Sequence, residues 1–131
     1  MIAPGGTFLD KARESLEGAR LAHAGGRYNN SANRSYYACF QAAIHALIAT
    51  GIVAYRPNMH WDHGFVQGQF IGHLINRRHR YGTDLKSILI DNYDVRVDAD
   101  YKDQRVREIV ALRALRRAER FVAAIVQREG A

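Results

Sequence analysis

The chain has 131 residues, 47% of them hydrophobic and 24% charged, with 19 basic against 13 acidic side chains for a net charge of +6. That length suits one compact domain burying roughly two-thirds of the surface its unfolded chain exposes, and the composition excludes extended disorder. The basic excess favours anionic partners, and a single cysteine, Cys39, excludes an internal disulfide framework.

Thr7 is suited to cap a first helix carrying Phe8, Ala12, Leu16, Ala19 and Ala22 on one face, stopped by Gly25 and Gly26. Asn30 or Ser31 then opens a second helix, closed by Gly51, whose wide apolar face (Ala32, Tyr36, Tyr37, Phe40, Ala43, Ile44, Leu47, Ile48) marks it as central. Arg56-Pro57-Asn58 makes a loop of the chain from Ile52 to about Met59, because a residue before proline is pushed out of helical geometry. A third helix is predicted over Asp62 to Arg80, with Phe65, Phe70, Ile71, Leu74 and Ile75 inward and Gly64, Gly68 and Gly72 spaced to admit a neighbouring backbone. Gly82 ends it, and Thr83 caps a fourth stretch, with Leu85, Ile88, Leu89, Tyr93 and Val97, reaching about Tyr101. The last helix, from about Asp103 to Arg128, sets an apolar stripe (Ala111, Leu115, Ala118, Val122, Ile125, Val126) against Arg113, Arg116, Arg117 and Arg120 on the opposite side.

No strand-like alternation, repeat or low-complexity tract interrupts this pattern. The expected fold is all-α, a single up-down bundle of four to five helices forming one domain over residues 1–131, with about residues 1–6 as a flexible N-terminus. Met1 to Thr7 lacks a basic-then-apolar layout, and the longest apolar stretch, Ala42 to Tyr55, contains His45 and Gly51 and is too short for a bilayer. A cytoplasmic protein without membrane association is expected, with Cys39 as a buried thiol.

Sixteen of the basic residues are arginines, whose planar fork matches phosphate bidentately, although a GC-rich genome would enrich the same residue. Arg113, Arg116, Arg117 and Arg120 form a candidate RNA- or anion-binding surface, since only Glu108 and Glu119 are near enough to relieve their repulsion; a solvated outer face is the competing reading. His60 and His63 are a close pair without a third ligand, so neither a metal site nor a cofactor is expected. The serines have no readable Ser-His-acid arrangement, and no phosphate-binding glycine loop is present. Candidate ligand-binding residues are Arg34 and Tyr37 on the second helix and Arg96, Asp100 and Tyr101 at the close of the fourth. An arginine inside an apolar helix needs a carboxylate, so Arg34 is expected to pair with Asp98 or Asp100, either as an ion pair tying two helices or as part of a polar pocket.

Arg27-Tyr28-Asn29-Asn30 leading into Arg34-Ser35-Tyr36-Tyr37-Ala38-Cys39-Phe40-Gln41, then His63-Gly64-Phe65-Val66, then Arg96-Val97-Asp98-Ala99-Asp100-Tyr101 and a long terminal helix carry a family resemblance. From about Phe8 to Val126 the chain resembles the HEPN domain (higher eukaryotes and prokaryotes nucleotide-binding). The resemblance implies a helical bundle, often dimeric, encoded beside a minimal nucleotidyltransferase or acting as an RNA-directed toxin. Its ribonucleases carry an arginine and a histidine with four to six residues between them. Here Gln41 stands where that histidine often follows Arg34, and Arg96 is followed by Tyr101, Lys102 and Asp103. The one literal match, Arg56 with His63, is a weak catalytic candidate, because about two such matches arise by chance in a chain with this many arginines and histidines. A glutamine cannot act as the base that activates a ribose 2′-hydroxyl. The expectation is a weakly or non-catalytic module that binds nucleotide, RNA or a nucleotidyltransferase partner, in a toxin-antitoxin or defence-type pair and as a homodimer. The alternatives are a metal-independent ribonuclease with an Arg/His site at a dimer interface and a structural helical assembly subunit.

Overall fold

The computed structural model describes residues 6–52 and 61–130. Its elements are α1 (Gly6–Ala24), α2 (Tyr28–Ala49), α3 (His63–Gln69), α4 (Thr83–Tyr101) and α5 (Glu108–Glu129), and a π-helical segment, Phe70–Arg77, continues α3 without a break. No strand occurs among the described residues, in agreement with the all-α expectation.

α1 and α2 stop by the same device. Gly26 and Gly51 adopt φ of +75° and +88°, the left-handed region where a side chain would be strained. Each allows two backbone bonds to close the last turn, Gly26 N to His23 O with Arg27 N to Ala22 O, and Gly51 N to Ile48 O with Ile52 N to Leu47 O. The starts differ from expectation. Arg27 precedes α2 without a side-chain cap, since a guanidinium has no acceptor, and Ser31, inside the helix, donates across the interface to Ala19 O at 2.9 Å. Gly82, rather than Thr83, is the N-cap of α4.

α2 is the central helix, packed against α1, α4 and α5. Ala12 and Ala19 on α1, Ala38, Ala42 and Ala46 on α2 and Ala118 on α5 are wholly buried, and side chains this small let helix axes approach closely. Larger residues fill the region beneath the π-helical segment, where Phe70 stacks on Tyr81 and packs against Phe121, each with ring centroids 5.3 Å apart. Burying each such side chain contributes about 1.5–3 kcal/mol.

The single helix expected over Asp62 to Arg80 is instead two geometries. Asp62 caps α3, accepting from Phe65 N at 2.9 Å, and the wider π turns then bring Phe70, Leu74 and Ile75 together onto the core. The segment ends at Arg77, with His79 left-handed (φ 49°), and Arg80 and Tyr81 bind the Glu129 carboxylate at the end of α5. Gly68 and Gly72 meet nothing and Gly64 only the Asp62 side chain among the described residues, so the expected close backbone approach is not made there. The last helix begins at Glu108, not near Asp103. Residues 102–107 stay non-helical because Val106 is buried beside Ala32, Ala99 and Ala111 while its N–H donates to Asn29 Oδ1 at 2.8 Å.

Candidate functional site

The middle of α2 presents Asn33, Tyr36, Tyr37 and Phe40 at helical spacing, and α4 presents Tyr93, Arg96 and Asp100 at i, i+3 and i+7. Where these faces meet, the first residue of α3, His63, closes an aromatic cluster. Tyr36 is its fully buried centre, with ring centroids 5.6 Å from both His63 and Tyr93 and 5.8 Å from Phe40.

The Tyr36 hydroxyl lies 2.7 Å from His63 Nδ1, its one hydrogen-bond partner among the described residues. In the tautomer with Nε2 protonated, the Tyr36 hydroxyl donates its proton to Nδ1; in the other, Nδ1–H donates to the phenol oxygen. Burial, followed by the nearby Arg96 charge, holds the His63 pKa below its ordinary 6.5 against the opposing pull of Asp62. With Nδ1 bonded to Tyr36, the neutral imidazole presents only Nε2 to a ligand. Burial likewise raises the Tyr36 pKa, keeping the phenol protonated.

Arg96 lies against both tyrosines, 5.6 Å from each ring centroid, and its Nη2 donates to the Tyr37 hydroxyl at 3.4 Å. Its side chain is only 12% exposed, and Nε is ion-paired with Asp100 Oδ2 at 3.0 Å in an alignment too poor for a hydrogen bond, with no other acceptor among the described residues. Arg34 is exposed and stacks 4.9 Å from the Tyr37 centroid. The expected direct pair with Asp98 or Asp100 is not formed. Asn33 stands between, accepting from Arg34 and donating to Asp100, while Asp98 pairs with Lys102. The structure thus gathers Arg34, Tyr37, Arg96 and Asp100, whereas Tyr101 is 75% exposed and apart from them.

Of the other candidates, Arg56 and His60 lie outside the described residues. Arg116 pairs with Glu119, Arg120 with Asp84, and Arg113 is exposed without an ion-pair partner among the described residues. Arg117 turns away from this stripe, and its Nε donates to the wholly buried Asn92 Oδ1 at 2.8 Å. Gln41 belongs to the α1–α2 seam: its amide, turned so that nitrogen faces the surrounding acceptors, lies 2.9 Å from Lys11 O, 3.1 Å from Tyr37 O and 2.7 Å from Ser15 Oγ. Cys39 is fully buried, its pKa pushed up to about 12 by burial.

Sequence reasoning missed Asn33, Phe40 and Tyr93 and the link between His63 and Tyr36. The signal within reach was the shared helix face of Tyr93, Arg96 and Asp100; nothing local joins His63 to a residue 27 positions earlier. Among the described residues no three metal-ligating side chains converge, and no helix is long and apolar enough to cross a membrane. A family model described as the HEPN domain matches residues 7–129. No curated protein matches the chain.

Proposed function

The chain belongs to the HEPN domain family, and from that premise we propose that it binds a nucleotide or RNA at the cluster of Arg34, Tyr37, His63 and Arg96 and cleaves RNA weakly or not at all. The observation that carries this reading is Arg96, a largely buried guanidinium lying against two tyrosine rings, whose Nε is ion-paired with Asp100 without an aligned hydrogen bond to any described residue. A cation so placed binds a phosphate oxygen at little cost in side-chain ordering. Tyr37 and its neighbours supply aromatic surface for a base.

Weak cleavage follows from two residues. Gln41, at the position where the family resemblance sets a histidine, is committed to the α1–α2 seam. His63 has its Nδ1 occupied by Tyr36, which leaves it a single ring nitrogen for proton transfer. One observation favours the ribonuclease reading as the second choice: His63 and Arg96 both lie against the Tyr36 ring, an arginine–histidine pair made in space rather than in sequence.

The test is binding and cleavage of a fluorescent single-stranded RNA oligonucleotide, with adenosine 5′-monophosphate as the mononucleotide probe. Wild type is expected to bind, Arg96→Met to lose about tenfold or more in affinity, as for a lost hydrogen bond to a charged group, and neither to cleave rapidly. Rapid cleavage abolished by His63→Ala and Arg96→Met would establish the ribonuclease instead. The family resemblance also supports a second copy of this chain and a nucleotidyltransferase in a toxin-antitoxin or defence-type pair as protein partners. Sedimentation velocity at micromolar concentration tests the first, and co-purification with the product of an adjacent gene tests the second.

A further inference from the structure

Two cations and one carboxylate surround Tyr37. Asn33 Nδ2 lies 3.2 Å from both Asp100 oxygens, and Asn33 Oδ1 accepts from Arg34 Nη2 at 2.7 Å and Nε at 3.1 Å. On its other side the same carboxylate approaches Arg96 Nε at 3.0 Å without receiving its hydrogen bond. The Asp100 side chain is 28% exposed and stands one residue before the end of α4. It can swing to solvent without disturbing the core.

Resting on the binding reading above, we infer that Asp100 is an internal occupant of the phosphate seat: its carboxylate stands where a phosphate of the ligand binds, and the ligand displaces it. Carboxylate and phosphate call for the same donors, and guanidinium and amide N–H groups serve either. A phosphate group brings more acceptor oxygens, so it can serve Asn33 and align with the Arg96 Nε–H together, whereas Asp100 accepts from Asn33 with both oxygens and only pairs with Nε by charge. With His63 neutral, Arg34, Arg96 and Asp100 leave the cluster one positive charge, enough to attract an anion while the carboxylate remains in place. Moving Asp100 aside uncovers a second. Asp100 is therefore a specificity-determining residue, admitting phosphate-bearing ligands and resisting weaker, singly charged carboxylates.

The experiment is isothermal titration of the full chain with adenosine 5′-monophosphate, comparing wild type, Asp100→Asn, Arg96→Met and the double variant. Asp100→Asn keeps an acceptor for Asn33 and removes the charge; it is expected to bind roughly tenfold more tightly than wild type, the scale of one charged hydrogen bond released to the ligand. Arg96→Met is expected to lose binding in either background. Asp100→Ser, also uncharged, should shift affinity in the same direction, so the result does not hang on one variant's folding. In wild type, added inorganic phosphate should move the Arg96 Nε–H resonance, which a brace made only by Asp100 would leave in place. Unchanged or weaker binding by both Asp100 variants, with Arg96→Met still damaging, overturns the inference and leaves the proposed function standing. Absence of binding to the mononucleotide and the RNA in every variant removes both.

Discussion

His63 takes its protonation from its burial and from two neighbours, Arg96 and Tyr36. Its neutral form is favoured by burial and by the Arg96 charge, and Tyr36 holds its Nδ1. Arg96→Met should therefore raise the His63 pKa toward 6.5, read from the imidazole resonances across a pH series; an unmoved midpoint would show that the Arg96 charge is not felt there. The sign for stability follows from the lowered pKa. The contribution of neutral His63 is complete above 6.5 and is lost as pH falls through the folded-state value, because the unfolded chain takes up the proton first. Arg34 shows the opposite case of a charge managed at the surface. It never reaches Asp100, and the shorter Asn33 amide spans the gap. The sequence could flag Arg34, Tyr37, Arg96 and Asp100 because charged and hydroxylated side chains stand out in apolar helices. It could not show Asn33 as the connector, since a short amide on a helix surface carries no pattern of its own.

At the scale of elements, three helices are tied by one buried amide. Asn92 on α4 is fully buried, donates to Ala114 O on α5 at 3.0 Å and approaches Cys39 Sγ on α2 at 3.5 Å, while Arg117 fills its oxygen. Removing it leaves the Arg117 Nε–H without its acceptor and a void among three helices. Asn92→Ala should cost about 2 kcal/mol, seen as a lower urea midpoint at unchanged slope. A loss below half of that would mean that the helices repack around the gap. The same contact explains why an arginine placed on the outer stripe by helical period turns inward. An Arg side chain is long enough to reach from the helix flank to a polar group in the seam, and its stem covers apolar surface on the way.

For the whole molecule, sixteen arginines and a net charge of +6 make salt the clearest probe of binding. Arg113 is unpaired among the described residues and Arg116 is 70% exposed, so Arg113→Gln with Arg116→Gln should flatten the log–log dependence of RNA affinity on salt by roughly 0.7 per cation if both touch phosphates. An unchanged slope would remove the stripe from the RNA interface. Arg117→Gln should instead lower stability, because that side chain holds Asn92. The faces of Gly68 and Gly72 leave room for another backbone that the described residues do not supply, and a dimer whose second copy used it would be lost on Gly68→Leu with Gly72→Leu, read by sedimentation.

By itself the sequence determined the helical class, the central place of α2 and the stops at Gly26 and Gly51, because propensity, apolar period and left-handed glycines act over a few residues. It also singled out most of the polar groups around Tyr37. Tertiary structure alone decided their pairings. His63 meets Tyr36 across 27 residues, Gln41 lies in the α1–α2 seam, Arg117 binds Asn92, and the third helix widens into π turns while keeping Phe70, Leu74 and Ile75, already read as inward, on the core. Each outcome depends on how helices are rotated and crossed against one another. The apolar period specifies which face is buried, and the packing of ridges into grooves specifies which side chains on that face touch.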